Sequence, residues 1–263
     1  MFKKYVTIFC RCLLIFVAGL IGSFIVVFGK IQTERVPSVL EMRSALPISD
    51  AYAASERKAI RKSSRSAVRI LSWDHEPGNV SIASGTYFEH YGTHYVITVH
   101  HGLIVPACDL IQIETDGTLV HCEEVIAYDA EADYAILEVG SIFNRTPLHF
   151  PRDFVRTYRG WRQSISALHP LIYTGYPNTI GPVTLAGKVM GVSPEEFIYL
   201  NSYAWSGSSG SGVFNMQGKF VGHIMAIDVG QTEYGFDVLE NVILVVPHYQ
   251  VDWTPILKRK FNK

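Results

Sequence analysis

Gly207-Ser208-Ser209-Gly210-Ser211-Gly212, continued by Val213-Phe214, is a tight glycine-rich turn that holds a serine and runs straight into an apolar strand. A serine hydroxyl becomes a useful nucleophile only when a base removes its proton. A glycine two positions before Ser209 and another just after it let the backbone turn sharply and approach a carbonyl closely. Such a turn aims backbone N–H groups at one point, where a negatively charged oxygen can form. Gly/Ser-rich stretches are also ordinary flexible loops. The reading therefore depends on a histidine and an acid elsewhere in the chain, and both lie upstream.

Tyr95-Val96-Ile97-Thr98-Val99-His100-His101-Gly102 is a β-rich run that ends in two histidines and a glycine. A histidine at a strand end beside a turn is held rigidly while one ring nitrogen stays exposed, which suits a general base. The plain alternative is a pair of surface histidines. His90, His94, His100 and His101 lie close enough in sequence to suggest a metal site, but no cysteine or acid shares a zinc-type spacing with them. No metal and no organic cofactor is expected. The acid comes from Asp129-Ala130-Glu131-Ala132-Asp133-Tyr134-Ala135-Ile136-Leu137. Asp133 directly precedes an apolar strand, so it can be partly buried and still reach the second nitrogen of a histidine. Asp129 reads as a turn residue.

From Ser66 onward, short runs rich in Val, Ile, Tyr and Thr alternate with Gly, Pro, Asn and Asp. Strands are predicted at Ala67–Leu71, Tyr95–Val99, Leu110–Ile113, Tyr134–Val139, Ser166–Ala167 leading to Tyr173, Gly187–Val192, Gly212–Asn215, Lys219–Ile227 and Val242–Val246. That spacing points to an all-β sandwich or barrel, not to a βαβ sheet. Pro255 to Phe261 is predicted as a short terminal helix with the proline at its first position. Residues 30–64 contain Pro37, Pro47 and most of the basic run Arg57–Arg65 without a sustained apolar period, and read as a stalk.

Leu13 to Phe28 is apolar and uncharged, and Tyr5 to Gly29 carries only Arg11. This approaches the roughly 20 residues that a membrane-spanning helix needs. No small-residue cleavage site follows directly, so residues 1–29 are expected to be an uncleaved single-pass membrane anchor. The flanking cations hardly set an orientation. The expectation is that the bulk of the chain lies on the non-cytoplasmic side. With 48% hydrophobic residues and a net charge of -1, the 263-residue chain is globular, and nucleic acid is not expected as a partner. Cys10 and Cys12 fall in the apolar stretch, which leaves Cys108 and Cys122 as a possible pair.

The order His, Asp, Ser resembles the trypsin-like (chymotrypsin-fold) serine proteases, closest in pattern to the Deg-type (high-temperature-requirement) branch. The resemblance covers residues 65–258 and rests on many stretches in the right order. Ser66-Ala67-Val68-Arg69-Ile70 is similar to the first strand of the family, Ala83-Ser84-Gly85 to its Gly-Ser-Gly hairpin entry, and Ile97-Thr98-Val99-His100-His101 to its histidine motif. Asp133-Tyr134-Ala135-Ile136-Leu137 resembles the Asp-x-Ala-x-Leu strand. Thr174-Gly175-Tyr176-Pro177 with Gly187-Lys188-Val189, then Gly207–Ser211, Asn215–Gly222 and Val245-Val246-Pro247, resemble the segments that follow.

The resemblance implies an all-β fold of two six-stranded antiparallel β-barrels, with histidine and aspartate from the first and serine from the second. It implies a serine endopeptidase acting on protein or peptide substrates through an acyl-enzyme. Thr98, three residues before His101, selects His101 over His100, and only Ser209 satisfies Gly-x-Ser-Gly. The implied catalytic residues are His101, Asp133 and Ser209, with the N–H groups of Gly207 and Ser209 as the oxyanion hole. Tyr203, Ile224 and Met225 fall at the positions that line the substrate pocket, and Tyr203 in place of an acid argues against Lys or Arg selectivity. Ser208 stands where the family has Asp or Asn, and Ser211-Gly212 replaces Gly-Pro. No PDZ-like domain follows, which argues against chaperone and cage-forming roles. Two other readings stand beside the peptidase: an inactive protease-like binding module, and a virus-encoded polyprotein-processing protease.

Overall fold

The computed structural model describes residues 47–75, 78–177, 180–232 and 235–259, and side chains within these except 47–52, 164 and 226–240. The expected anchor, residues 1–29, lies outside them. Among the described residues no helix is long and apolar enough to cross a membrane. The chain divides into Met1–Ala53 and Ala54–Lys263, and the barrels lie in the second unit.

The first barrel is formed by β1 (Ala67–Trp73), β2 (Val80–His90), β3 (Thr93–Thr98), β4 (Ile111–Thr115), β5 (Thr118–Asp129) and β6 (Tyr134–Val139). Their order is β1-β4-β5-β6-β3-β2, and antiparallel pairing of β1 with β2 closes the ring. A two-residue strand, β7 (Leu148–His149), adds in parallel to β2. The second barrel is a closed ring of β8 (Pro170–Gly175), β9 (Val183–Val192), β10 (Ile198–Asn201), β11 (Gly212–Asn215), β12 (Phe220–Thr232) and β13 (Gly235–Pro247), in the order β10-β13-β12-β11-β8-β9. Closure pairs every strand of the two rings on both sides.

Each barrel has its own apolar filling. Val68, Ile70, Val96, Ile111, Ile113 and Leu137 fill the first. Trp161, Leu171, Val189, Leu200, Val213 and Ile243 fill the second. A third cluster takes Phe88 and Ile97 from the first barrel, Ile172, Phe214 and Phe220 from the second, and Ile256 from the terminal helix (Thr254–Arg259). It joins the two barrels into one body.

Several strands that the sequence pattern passed over are present. The buried run of β2 reads Ala83-Ser84-Gly85-Thr86-Tyr87-Phe88, and its four small or polar residues hide its burial. β5 is mostly exposed and polar, so it carries no apolar alternation. Cys108 and Cys122 form a disulfide.

The second half of the expected stalk is helical. Helix α1 (Pro47–Ser66) lays Ser55, Ala59, Ser63 and Ser66 along one face. Ser55 donates to the Met216 carbonyl, Ala59 and Ser63 are buried, and Ser63 donates to Thr174 at 2.8 Å. A side chain on Gly218 would meet the Ala59 backbone at 3.4 Å, so the helix axis comes close to the β11–β12 turn. The contact face is built of Ser and Ala, which is why no apolar period marks it.

Candidate active site

Strand register brings the histidine and the aspartate to one barrel end. β3 and β6 run antiparallel with Thr98 opposite Ala135. The residues just past Thr98 and just before Ala135 are therefore neighbours. His101 follows β3 and Asp133 precedes β6. Asp133 clamps His101 at two points: Oδ1 accepts from the His101 backbone N–H at 2.9 Å and Oδ2 from Nδ1 at 2.7 Å. The Asp133 backbone takes a positive φ of 47°, a conformation that costs a non-glycine residue energy and here turns the carboxylate inward. Burial pushes its carboxyl up, but the side-chain and backbone hydrogen bonds from His101 outweigh that and hold it below the usual aspartate range.

The imidazole of His101 is half exposed, and its Nδ1 is engaged by Asp133. His100 points elsewhere and stacks on Tyr128 with ring centroids 5.4 Å apart. Asp129 accepts from the N–H groups of Glu131 and Ala132 at 2.8 and 2.9 Å, and so shapes the turn that presents Asp133. His94 bonds Tyr87 and His90 bonds the Phe150 carbonyl, so the histidines of the conceivable metal cluster are dispersed to separate partners. Among the described residues no group of three metal-ligating side chains exists.

The serine loop hangs between the two barrels. Gly207 and Gly210 have φ of 91° and 86°, a region that favours glycine. On the second-barrel side, the Gly210 N–H donates to the Ile224 carbonyl at 2.7 Å. On the first-barrel side, Ser84 holds the loop at two points and the histidine strand at a third. Its N–H donates to the Ser209 carbonyl at 2.7 Å, its hydroxyl donates to the Gly207 carbonyl at 2.6 Å, and its carbonyl accepts from Thr98 Oγ1 at 2.7 Å. Thr98 is on the strand that leads to His101. One residue thus couples the histidine strand to the serine turn.

The N–H groups of Ser208, Gly210 and Ser211 are all taken by protein carbonyls. Those of Gly207 and Ser209 meet no protein acceptor among the described residues. The two departures from the family pattern brace the turn: Ser211 Oγ donates to the Ser208 carbonyl at 2.6 Å, and Ser208 Oγ accepts from the Trp205 N–H at 3.2 Å. Ser209 is half-buried, and its hydroxyl makes no hydrogen bond among the described residues.

Of the expected pocket residues, Tyr203 is 58% exposed and stacks parallel to Trp205. Met225 is half-buried. Ile224 is buried in the core of the second barrel. Two residues beside the site escaped the sequence reading as functional. Ser84 was visible only as part of a hairpin entry. His223 is fully buried and donates from Nε2 to the Asp133 carbonyl at 3.1 Å, a contact made across the seam from β12.

A profile of the trypsin-like peptidase domain matches residues 83–222, slightly more than half of the chain, a span that contains His101, Asp133 and Ser209. A serine endoprotease from Yersinia pestis superposes with a TM-score of 0.57 at 16% identity, over 79% of this chain and 67% of its own. The HtrA-type protease AlgW, with a tripeptide, gives a TM-score of 0.57 at 17% identity, over 76% of this chain and 60% of its own. The chain therefore spans about two thirds or less of the length of these proteins, and the likeness is one of fold. No curated protein matches the sequence.

Proposed function

The chain belongs to the trypsin-like peptidase family, and on that premise we propose that it is a membrane-anchored serine endopeptidase. In this reading Ser209 Oγ attacks the carbonyl carbon of the scissile bond, and its proton passes to His101 Nε2. Asp133 holds the proton on Nδ1, orients the ring and stabilises the imidazolium. The oxyanion is received by the N–H groups of Gly207 and Ser209, each worth roughly 3–4 kcal/mol in this chemistry. His101 delivers the proton to the leaving amine, and water then releases the acyl group from Ser209. The observation that carries the reading is the two-point clamp of Asp133 on the backbone and ring of His101. The two unengaged N–H groups on either side of the Ser209 turn support it.

Anchoring rests on the apolar stretch 13–28, and the non-cytoplasmic placement of the barrels is a separate part of the same proposal. The peptide is taken across the seam of the barrels, with Tyr203 and Met225 walling the pocket for the residue before the cut and the core residue Ile224 behind them. A small or apolar residue is the preferred occupant.

The test is covalent labelling by an active-site-directed phosphonate. Wild-type protein labels and Ser209→Ala does not, with an unchanged melting temperature. Equal labelling of both would overturn the assignment. A folded wild-type protein that neither labels nor cleaves any peptide of a library would support the binding-module reading.

A further inference from the structure

A second feature lies on the face made by α1 and the segment after the first barrel. A cavity of about 190 Å³ is lined by Arg61, Lys62 and Arg65 of α1, by the stretch Thr146–His149, and by Arg152 and Asp153. Arg61 and Arg65 are four residues apart and share one helix face. The Thr146 N–H donates to the Arg65 carbonyl at 2.9 Å and fixes the end of the helix against the opposite wall. Pro147 and the fully buried Leu148 supply an apolar lining.

Four permanent cations face one carboxylate here. Asp153 is turned inward and already satisfied: Oδ1 accepts from Lys62 Nζ at 2.7 Å and lies 3.6 Å from Arg152 Nε, and Oδ2 accepts from the His149 N–H at 3.1 Å. The ring of His149 pairs with Glu89 at 3.0 Å. Arg61 and Arg65 make no ion pair among the described residues. The positive field extends past the cavity. Lys219 is held below the usual lysine range by burial and by Lys62, Arg156 and Lys58, against the pull of Asp153. The whole chain has a net charge of -1, so this concentration of cations does not follow from general basicity.

Like charges gathered around an apolar-floored hollow repel one another unless an anion lies between them. Guanidinium groups present planar forks of N–H donors that suit tetrahedral oxyanions. A hollow of this size admits a compact anion and no folded segment. We propose that this cavity is a binding site for a phosphate group, held by Arg61 and Arg65 from the helix and by Arg152 from the facing turn. The phosphate belongs either to a free phosphate monoester or to an anionic lipid headgroup. The proposal is independent of peptidase activity.

The test uses the full chain in neutral-detergent micelles at constant ionic strength, followed by titration calorimetry. One arm adds glycerol phosphate. The other adds short-chain phosphatidylglycerol, with phosphatidylcholine as its control. Saturable binding of glycerol phosphate identifies a free monoester as the ligand source; binding confined to phosphatidylglycerol identifies the headgroup. In either arm Arg61→Ala/Arg65→Ala weakens binding at least about tenfold. Both side chains are exposed and unpaired among the described residues, so the variant keeps the wild-type melting temperature. Arg152→Gln provides a second variant from the facing wall, with the same loss expected. No saturable binding in either arm, or equal binding by both variants and wild type, overturns the proposal.

Discussion

His223 of β12 lies directly behind the catalytic candidates, its Nε2 proton donated to the carbonyl oxygen of Asp133 at 3.1 Å. The ring is completely buried, and Nδ1 meets no partner among the described residues. The second barrel thus grips the backbone of the residue whose carboxylate grips His101. Because Asp133 sits at a positive φ, this contact helps to hold a backbone that would otherwise relax. His223→Leu is expected to destabilise the fold by about 1–2 kcal/mol by stranding a buried carbonyl. It should also slow phosphonate labelling, while His223→Gln, which keeps a donor, restores part of the rate. Urea unfolding and labelling kinetics on the same samples check both.

Buried histidines also set an acid limit. Burial holds His223 below its usual range, and burial pushes His248 down to about 4. The unfolded chain takes up protons near pH 6.5 that the folded chain refuses, so stability falls as pH drops below about 6.5 and towards 4. His248→Phe is expected to flatten that slope in denaturant melts run across the window.

Asp133 contributes with the opposite limb of the same linkage. Its carboxyl is depressed in the folded state, so its stabilisation is full above about pH 4 and is lost as pH falls through the lower folded value. Asp133→Asn should remove this acid-side loss. The same variant should cut labelling by about ten-thousand-fold, because the amide no longer enforces the tautomer that leaves Nε2 free. Circular dichroism establishes that the fold survives.

Gly210 and Gly92 make a matched pair. Both have positive φ, 86° and 82°, but a side chain on Gly210 would fall 2.0 Å from the Ser84 carbonyl oxygen, whereas one on Gly92 meets nothing within 4 Å. Gly92→Ala is expected to cost only the backbone strain, about 1 kcal/mol. Gly210→Ala should cost more than about 3 kcal/mol or prevent folding, since the clash is with backbone. Similar unfolding midpoints for the two variants would contradict the tight seam.

Helix α1 is tied to the barrels by a charge pair. Asp153 is buried, and its carboxyl is held below the usual range by the Lys62 and His149 bonds, which outweigh the effect of burial. Lys62→Met should destabilise the protein by about 1–3 kcal/mol, because it leaves the carboxylate short of its partner. Lys62→Met/Asp153→Leu should recover most of the loss, as urea melts of the single and double variants would report.

Much of this architecture is legible in residue order. Alternating Val, Ile, Tyr and Thr runs specify strands because branched and aromatic side chains suit a half-buried pleat. The terminal helix, with Pro255 in its first turn, was readable for the same kind of local reason. Strand β2 and helix α1 were not, because Ser, Gly and Ala bury without looking apolar. Burial of a small residue depends on what comes to lie against it: Gly210 against Ser84, Ala59 against Gly218.

Local chemistry, the identity of the apolar strands and the three candidate side chains are properties of short segments, and the linear chain carries them. The two-point clamp of Asp133 on His101, the hold of Ser84 on both the serine turn and the histidine strand, and the contact of His223 behind Asp133 belong to the fold. They depend on the register of β3 against β6 and on the seam between two closed barrels. Such contacts join residues dozens of positions apart, and no local pattern encodes the distance between them.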